Sequence, residues 1–564
     1  MRVRAVTILT VLGLALCLRA ENTNPEQEIR AAYNRYYEAL RHKDLPGAMD
    51  LVDPGFTGRV PDGTIIDFAG QAETLREFLL SVNVIGDEKV DIEQLQTEGS
   101  DVTVTVRCVL FSSTASGAGG VADSFTDDHL RDTWTNTSKG WRLKRSVYLR
   151  STINGNLTGA ETPPDSPQLA ALVKEWNAGN KAVLDAFWKS VEGKTPLVED
   201  IDGDKEYVFV TFLWRGDAET KKVLLQGGLP KDGDKPLSRL ADTDLWYRTE
   251  RLPKDTRGSY AFQIDGAFSS SEKKTFSETV PDPLNPRAFD FGSFFELPNA
   301  PVQPYITERP GTPKGTLTRL KIKSAILNEE RDYGVYTPAG FNPKAKPYPL
   351  LVLFDGEGFG SGAGIQVPTP VILDNLIAQR KIPPTVLLLV NFVSQTWRSR
   401  DLTCSRPFND FLAKELLHEV RKNYNVSTDP ARTIVGGGSF GGLGAACAGL
   451  MHPEAFGNIL SLSGSYWYVP DWQKLSPSLT YLSSTGTGWV IQEYARRPKL
   501  PLRFYMEVGR LEGTALQLAT NRHLRDVLEL KGYPVTYSEF DGWHDALPWR
   551  GSLANGLISL AGIK

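Results

Sequence analysis

Cysteine is almost missing from this chain, at four among 564 residues. Thiols so few and scattered exclude a disulfide-built scaffold and offer no zinc-ligand spacing. A single bridge between Cys404 and Cys447 is compatible with the sequence but not indicated by it. Basic charge is also in short supply: 63 Lys and Arg face 67 Asp and Glu, for a net charge of −4. With no basic stripe, nucleic acid is not an expected partner. Long apolar runs are lacking as well. The stretch Ala5 to Leu18, behind Arg2 and Arg4, is too short to span a bilayer comfortably. With Ala20 as a small residue for cleavage it reads as a signal peptide over residues 1–20, which leaves no stable membrane anchor. Leu16, ahead of Cys17, is not the small residue that a lipoprotein signal needs. The expected location is therefore secreted or periplasmic. Histidine is the last scarce residue, with six in the chain, so a catalytic base can be sought by elimination.

What the sequence does contain is Gly437-Gly438-Ser439-Phe440-Gly441, directly behind the apolar Thr433-Ile434-Val435 and ahead of Gly442-Leu443-Gly444-Ala445-Ala446. A G-x-S-x-G between a strand and a helix is a nucleophile elbow, whose tight turn lifts one hydroxyl above a sheet. An α/β-hydrolase then supplies Asp or Glu and, last, His. His418 and His523 lie in helix-like segments, His452 in the turn Met451-His452-Pro453, and His42 and His129 far upstream. His544 remains, in the loop Asp541-Gly542-Trp543-His544 after the strand-like Val535 to Phe540. The acid is expected after the strand Leu502 to Glu507. Glu512 is best placed there, and Glu507 and Asp541 compete with it. Backbone donors for an oxyanion are expected from Phe440 and from Gly356, where the buried run Leu350 to Phe354 exits into Asp355-Gly356-Glu357-Gly358. This chemistry requires no cofactor or metal.

Leu353-Phe354-Asp355-Gly356, Arg398-Ser399-Arg400-Asp401-Leu402, Gly438-Ser439-Phe440-Gly441-Gly442, Leu462-Ser463-Gly464-Ser465-Tyr466-Trp467 and Asp541 to Gly551 resemble the enterochelin (enterobactin) esterase family, a branch of the esterase-D-like α/β-hydrolases. Val210 to Asp217, Asp244-Leu245-Trp246 and Asp282 to Pro286 are similar to that family's own N-terminal β-domain. The resemblance implies cleavage of the serine-ester bonds of a ferric catecholate trilactone or a related siderophore, with Ser439 as nucleophile, His544 as base and Glu512 as acid. An anionic ferric siderophore suits Arg398, Arg400, Arg406 and Arg550, because guanidinium groups stay charged and stack on catechol rings. Tyr466, Trp467, Trp543 and Trp549 offer aromatic walls. Two rival readings stand beside this one: a secreted feruloyl or acetyl esterase acting on plant polysaccharide, and a non-catalytic ligand-binding module.

A chain of this length calls for several cores. Residues 25–157 read as an α+β domain, with a helical Glu28 to Arg41 followed by strand-like Val90 to Leu95, Val102 to Phe111 and Trp141 to Leu149. Closing on Gly140-Trp141-Arg142-Leu143, the segment is similar to the NTF2-like (SnoaL-like) cone fold, which implies ligand binding or homodimerisation. Asp127, Asp128, His129 and Asp132 suggest a catalytic pocket, but read equally as alternating polar residues on the outer face of a strand, and the domain is expected to be a non-catalytic accessory. Residues 158–167 form a Thr- and Pro-rich linker. Residues 168–310 hold a helical stretch, Gln168 to Val191, and then an immunoglobulin-like β-sandwich in which Trp214 and Trp246 are core. Residues 311–564 form the α/β-hydrolase domain.

Overall fold

The computed structural model describes residues 25–563 apart from 61–64, 83, 116–120, 154–155, 158–164, 218–219, 221–222, 228–234, 241–242, 265–278, 290–291, 361–365, 393, 471–487 and 513–514. The signal peptide expected at 1–20 and most of the linker lie outside the described residues.

Helix α1 (Pro25–Arg41) buries Ile29, Ala32, Tyr33 and Leu40, a spacing that puts them on one face. Together with α2 (Phe68–Ser81) it packs on an antiparallel sheet of β1 (Val84–Glu98), β2 (Asp101–Ala115), β3 (Val121–Thr137) and β4 (Gly140–Ile153). The strands run longer at both ends than the sequence pattern suggests. Alternation divides the polar residues of β3 between two faces. Asp132 points into the core, 2 % exposed, and accepts the Tyr33 hydroxyl at 2.6 Å. Asp127 faces the other way, where Arg107 grips it with two bonds and Arg248 and Glu250 of the next domain adjoin. The outer-face reading therefore fails for Asp132, because this side of the sheet is covered by α1 rather than by water, and for Asp127, which is buried on the other side against the second domain.

The sheet does not stop at the domain boundary. Asn156–Leu157 pairs with Ser238–Arg239, and the ladder continues into the second domain's strands. These are β5 (Leu197–Asp200), β6 (Tyr207–Arg215) and β7 (Leu245–Pro253). A second sheet contains Val223–Gln226, β8 (Arg257–Ile264) and β9 (Gly292–Glu296). The two share a core of Val208, Val210, Phe212, Leu225, Trp246, Phe262 and Phe295, with Trp214 partly buried against it. The preceding helical stretch is two helices, Pro167–Asn177 and Val183–Val191.

Among the described residues, eight strands build the third domain's sheet, in the order β10 (Thr316–Ser324), β11 (Glu329–Thr337), β13 (Val386–Val390), β12 (Leu350–Phe354), β14 (Thr433–Gly438), β15 (Asn458–Leu462), β16 (Arg503–Gly509) and β17 (Val535–Phe540). From β13 to β17 every pairing is parallel. Strands β12, β13, β14 and β15 are buried along their whole length, which is why β12 and β13 read as unbroken apolar runs. Four helices border the elbow and the histidine loop: α3 (Gln395–Leu402), α4 (Phe440–Met451), α5 (Ala515–Leu530) and α6 (Ala546–Ala561). Cys404 and Cys447 form a disulfide that ties the segment after α3 to α4.

Candidate active site

The elbow falls where β14 becomes α4. Ser439 sits at φ 59° and ψ −122°, a conformation that costs a non-glycine residue roughly 1–3 kcal/mol. Hydrogen bonds hold it there. Its N–H donates to Leu462 O at 2.9 Å, and its carbonyl accepts from Leu443 N and Ser465 N, each at 3.1 Å. The flanking glycines answer to close approaches: a Cβ on Gly437 would lie 2.9 Å from Gly441 Cα, and one on Gly438 would lie 2.5 Å from the Trp549 ring. Asp355 (φ 55°) and Ser463 (φ 50°), just beyond β12 and β15, share the left-handed region. Three strained backbones therefore line one edge of the sheet, the pattern of a site rather than of a scaffold.

Of the three carboxylates that compete for the role of acid, Glu512 is the one at the histidine. Its Oε2 lies 2.8 Å from His544 Nδ1. Its other oxygen accepts from Gly509 N at 2.8 Å and from the Ser463 hydroxyl. The Glu512 side chain is 1 % exposed, whereas the imidazole is 37 % exposed, so water reaches the ring but not the carboxylate behind it. Glu507 instead accepts the Tyr505 hydroxyl at 2.6 Å, and burial raises its pKa. Asp541 pairs with Arg510. The His544 and Trp549 rings meet edge to face with centroids 5.1 Å apart. Because the Trp549 ring also lies on Gly438, one indole spans the histidine and the elbow. The Ser439 hydroxyl lies 3.3 Å from that of Ser465.

Phe440 is the first residue of α4, so its N–H has no intrahelical acceptor. Gly356 similarly opens the short helix Gly356–Gly360 beyond β12; a Cβ there would come within 2.1 Å of Asn391 Oδ1. Arg398, on α3, does not reach outward as a free cation. It forks onto Asp355 at 2.7 and 2.6 Å and lies 5.6 Å from the Phe440 ring centroid. The guanidinium thus braces both halves of the expected oxyanion site.

The other expected binders divide. Arg400 is taken up by Glu329 and Asp401. Arg550 is half-buried, donates to Gln366 O at 3.0 Å, and has its pKa pulled down by burial. Trp467 stays at the elbow, 5.8 Å from Phe440, with its indole N–H on Gln517 of α5 at 2.9 Å. Trp543 and Tyr466 are not walls. Trp543 is 1 % exposed within the sandwich core, and Tyr466 is fully buried with its hydroxyl on Ser461. The sequence signal for Trp543 is its place beside His544, but adjacent residues of an extended loop point to opposite sides. Asp355, Ser463 and Ser465 enter the site although only their surrounding motifs, not their side chains, carry a signal.

Residues 324–560 match an esterase family model, and residues 209–306 match the enterochelin esterase N-terminal family. The iron(III) enterobactin esterase of Escherichia coli O6:H1 is 34 % identical over 342 residues, covering 57 % of this chain and 81 % of that protein. The iron(III) salmochelin esterase of the same organism is 29 % identical over 416 residues, covering 70 % and 98 %. Among solved structures, the enterobactin esterase from Shigella flexneri, crystallised in the presence of enterobactin, aligns with a TM-score of 0.54 at 30 % identity over 67 % of this chain and 97 % of that one. With a strained serine, an imidazole held by a buried glutamate, and a matched sandwich and hydrolase in the same order, the chain belongs to the enterochelin esterase family and is a carboxylic ester hydrolase.

Proposed function

We propose that this enzyme hydrolyses the serine-ester bonds of ferric enterobactin or a closely related catecholate siderophore. Ser439 Oγ attacks the ester carbonyl while His544 Nε2 takes its proton, and Glu512 holds the ring with Nδ1–H facing the carboxylate. Negative charge that forms on the carbonyl oxygen meets the N–H groups of Phe440 and Gly356. His544 then gives the proton to the departing serine hydroxyl, leaving an acyl-enzyme. Water, deprotonated by the same imidazole, releases the acid and restores Ser439. Iron enters as part of the substrate, and no step draws on it.

One observation carries this reading: a His544–Glu512 pair at 2.8 Å that shares the Trp549 ring with the serine elbow, in a chain whose sandwich matches the enterochelin esterase N-terminal family. The same match favours a siderophore over the polysaccharide esters of the rival reading. Incubating the protein with ferric enterobactin, iron-free enterobactin and methyl ferulate, and resolving the products by chromatography, tests it. Linear serine-ester fragments from enterobactin at far higher kcat/KM than ferulate release is the expected result; the reverse order overturns the assignment.

We also propose an oxidising compartment, periplasmic or extracellular. The Cys404–Cys447 bridge supports it, since reduced cytosol seldom retains such bonds, and so does the leader-like segment at 1–20. The helix-covered antiparallel sheet of the first domain supports the NTF2-like reading, and the face-packed sheets of the second support the immunoglobulin-like one. Homodimerisation through the first domain remains part of the proposal, to be read from the mass in solution.

A further inference from the structure

Both neighbours of the histidine in sequence are held by the sandwich rather than by the hydrolase. Gly542 forms a parallel bridge with Arg257 at the start of β8. Trp543 is buried in the sandwich core, edge-on to Phe295 at 5.5 Å, and its indole N–H donates to Ser259 O at 3.2 Å. Its ring lies so close on Gly258 that a Cβ there would sit 1.8 Å from it. On the far side of His544, one Asp545 oxygen accepts both the N–H and the hydroxyl of Ser259, each at 3.0 Å. The other accepts Leu547 N at 2.7 Å and so caps α6. Three consecutive residues of one strand, 257 to 259, therefore grip positions 542, 543 and 545. His544 itself touches the hydrolase through Glu512 and Trp549.

We propose that the β-sandwich is part of the catalytic machinery: Gly258 and Ser259 are positioning residues that set where the imidazole of His544 stands. The proposal rests on the reading of His544 as general base. A loop between β17 and α6 can swing about its two ends. Here the swing is blocked by a tryptophan keyed into a glycine-lined slot on one side and a carboxylate bonded twice to a serine on the other. The substrate need not touch the sandwich for the sandwich to matter, because a base displaced by about 1 Å can lose a hundredfold in rate. Trp543 and Asp545 transmit the position, and β8 determines it.

Full-length Ser259→Ala, Ser259→Thr and Gly258→Ala proteins test this against a small chromogenic substrate, p-nitrophenyl butyrate. Ser259→Ala should lower kcat about tenfold, as the loss of one hydrogen bond to a carboxylate does, and Gly258→Ala about a hundredfold. KM should move less than twofold in both. Ser259→Thr, which keeps the hydroxyl, should recover most of the rate. Circular dichroism establishes that each variant is folded, and Ser259→Ala alone decides the matter if Gly258→Ala does not fold. A folded Ser259→Ala enzyme with wild-type kcat overturns the proposal, as does a raised KM with kcat intact, which would make the sandwich a substrate contact. Ser439→Ala, run in parallel, separates the two layers: if it leaves the butyrate rate unchanged, the catalytic reading itself has failed.

Discussion

Exchanging Glu512 for glutamine keeps the shape of the side chain and removes its charge. The acid has both oxygens committed, one to His544 Nδ1 at 2.8 Å and one to Gly509 N at 2.8 Å and the Ser463 hydroxyl. The amide that replaces it can sit in two ways. If its oxygen stays on Gly509, its NH2 group faces Nδ1, and the imidazole must carry its proton on Nε2, where it cannot accept one from Ser439. If the amide turns over, its NH2 meets the Gly509 N–H in a place that is 1 % exposed, and an unsatisfied buried donor costs about 1–3 kcal/mol. The first arrangement is therefore favoured, and both lose the charge that stabilises the imidazolium. Wrong-tautomer substitutions of this kind lower kcat about 10⁴-fold, or about 5 kcal/mol. Single-turnover acylation with p-nitrophenyl butyrate measures it directly, with KM expected to be nearly unchanged. A Glu512→Gln enzyme within tenfold of wild-type kcat would refute the reasoning and return the role to Glu507 or Asp541.

Ser439→Ala should abolish both ester cleavage and labelling by a fluorophosphonate, while ferric enterobactin binding, followed by tryptophan quenching, persists. Burial raises the pKa of Asp132 to about 6, and that of Asp128 to about 7. A carboxyl raised in the folded state contributes stability that is present below about pH 4 and lost as pH climbs through the folded value. For Asp132 this amounts to about 3 kcal/mol between pH 4 and pH 8. Asp132→Asn should flatten that part of the stability curve, which denaturant melts at several pH values will show. Cys404→Ser opens a loop of 43 residues and should lower stability by about 4 kcal/mol on the chain-entropy account; reduction of the wild-type protein should give the same shift in the thermal midpoint.

Strands of the hydrolase are legible wherever their local pattern is clear, whether fully buried like β12 or half-exposed like β17. β12 and β17 follow their apolar or alternating runs residue for residue, because a strand's hydrophobic pattern is a local property. Ser439 and His544 are legible for a related reason, since each sits at the end of such a strand. The choice among Glu512, Glu507 and Asp541 is not local. It depends on how the backbone after Gly509 folds back so that Glu512 accepts the Gly509 N–H. The arginines are harder still. Whether Arg398 faces a ligand or an internal carboxylate is decided by Asp355, 43 residues earlier and just beyond the end of β12. Trp543 shows the same limit: its neighbour in sequence is the catalytic histidine, but its partner in space is Gly258, on a different domain. In the first domain, Asp132 reads as a surface residue until α1 is seen to cover it.

The Thr- and Pro-rich segment at 158–167 looks like the natural place to cut if the esterase alone is wanted. Such a truncation would strip Ser238–Arg239 of its neighbour at Asn156 and open a raw β-edge, a template for self-association. It would also take Arg107 and Asp127 away from Arg248, a guanidinium only 6 % exposed. Its ion pair with Glu250 would stay, now at the new surface. The accessory domain is welded to the enzyme by backbone and by charge, and a shortened version should be expected to precipitate before it can be assayed.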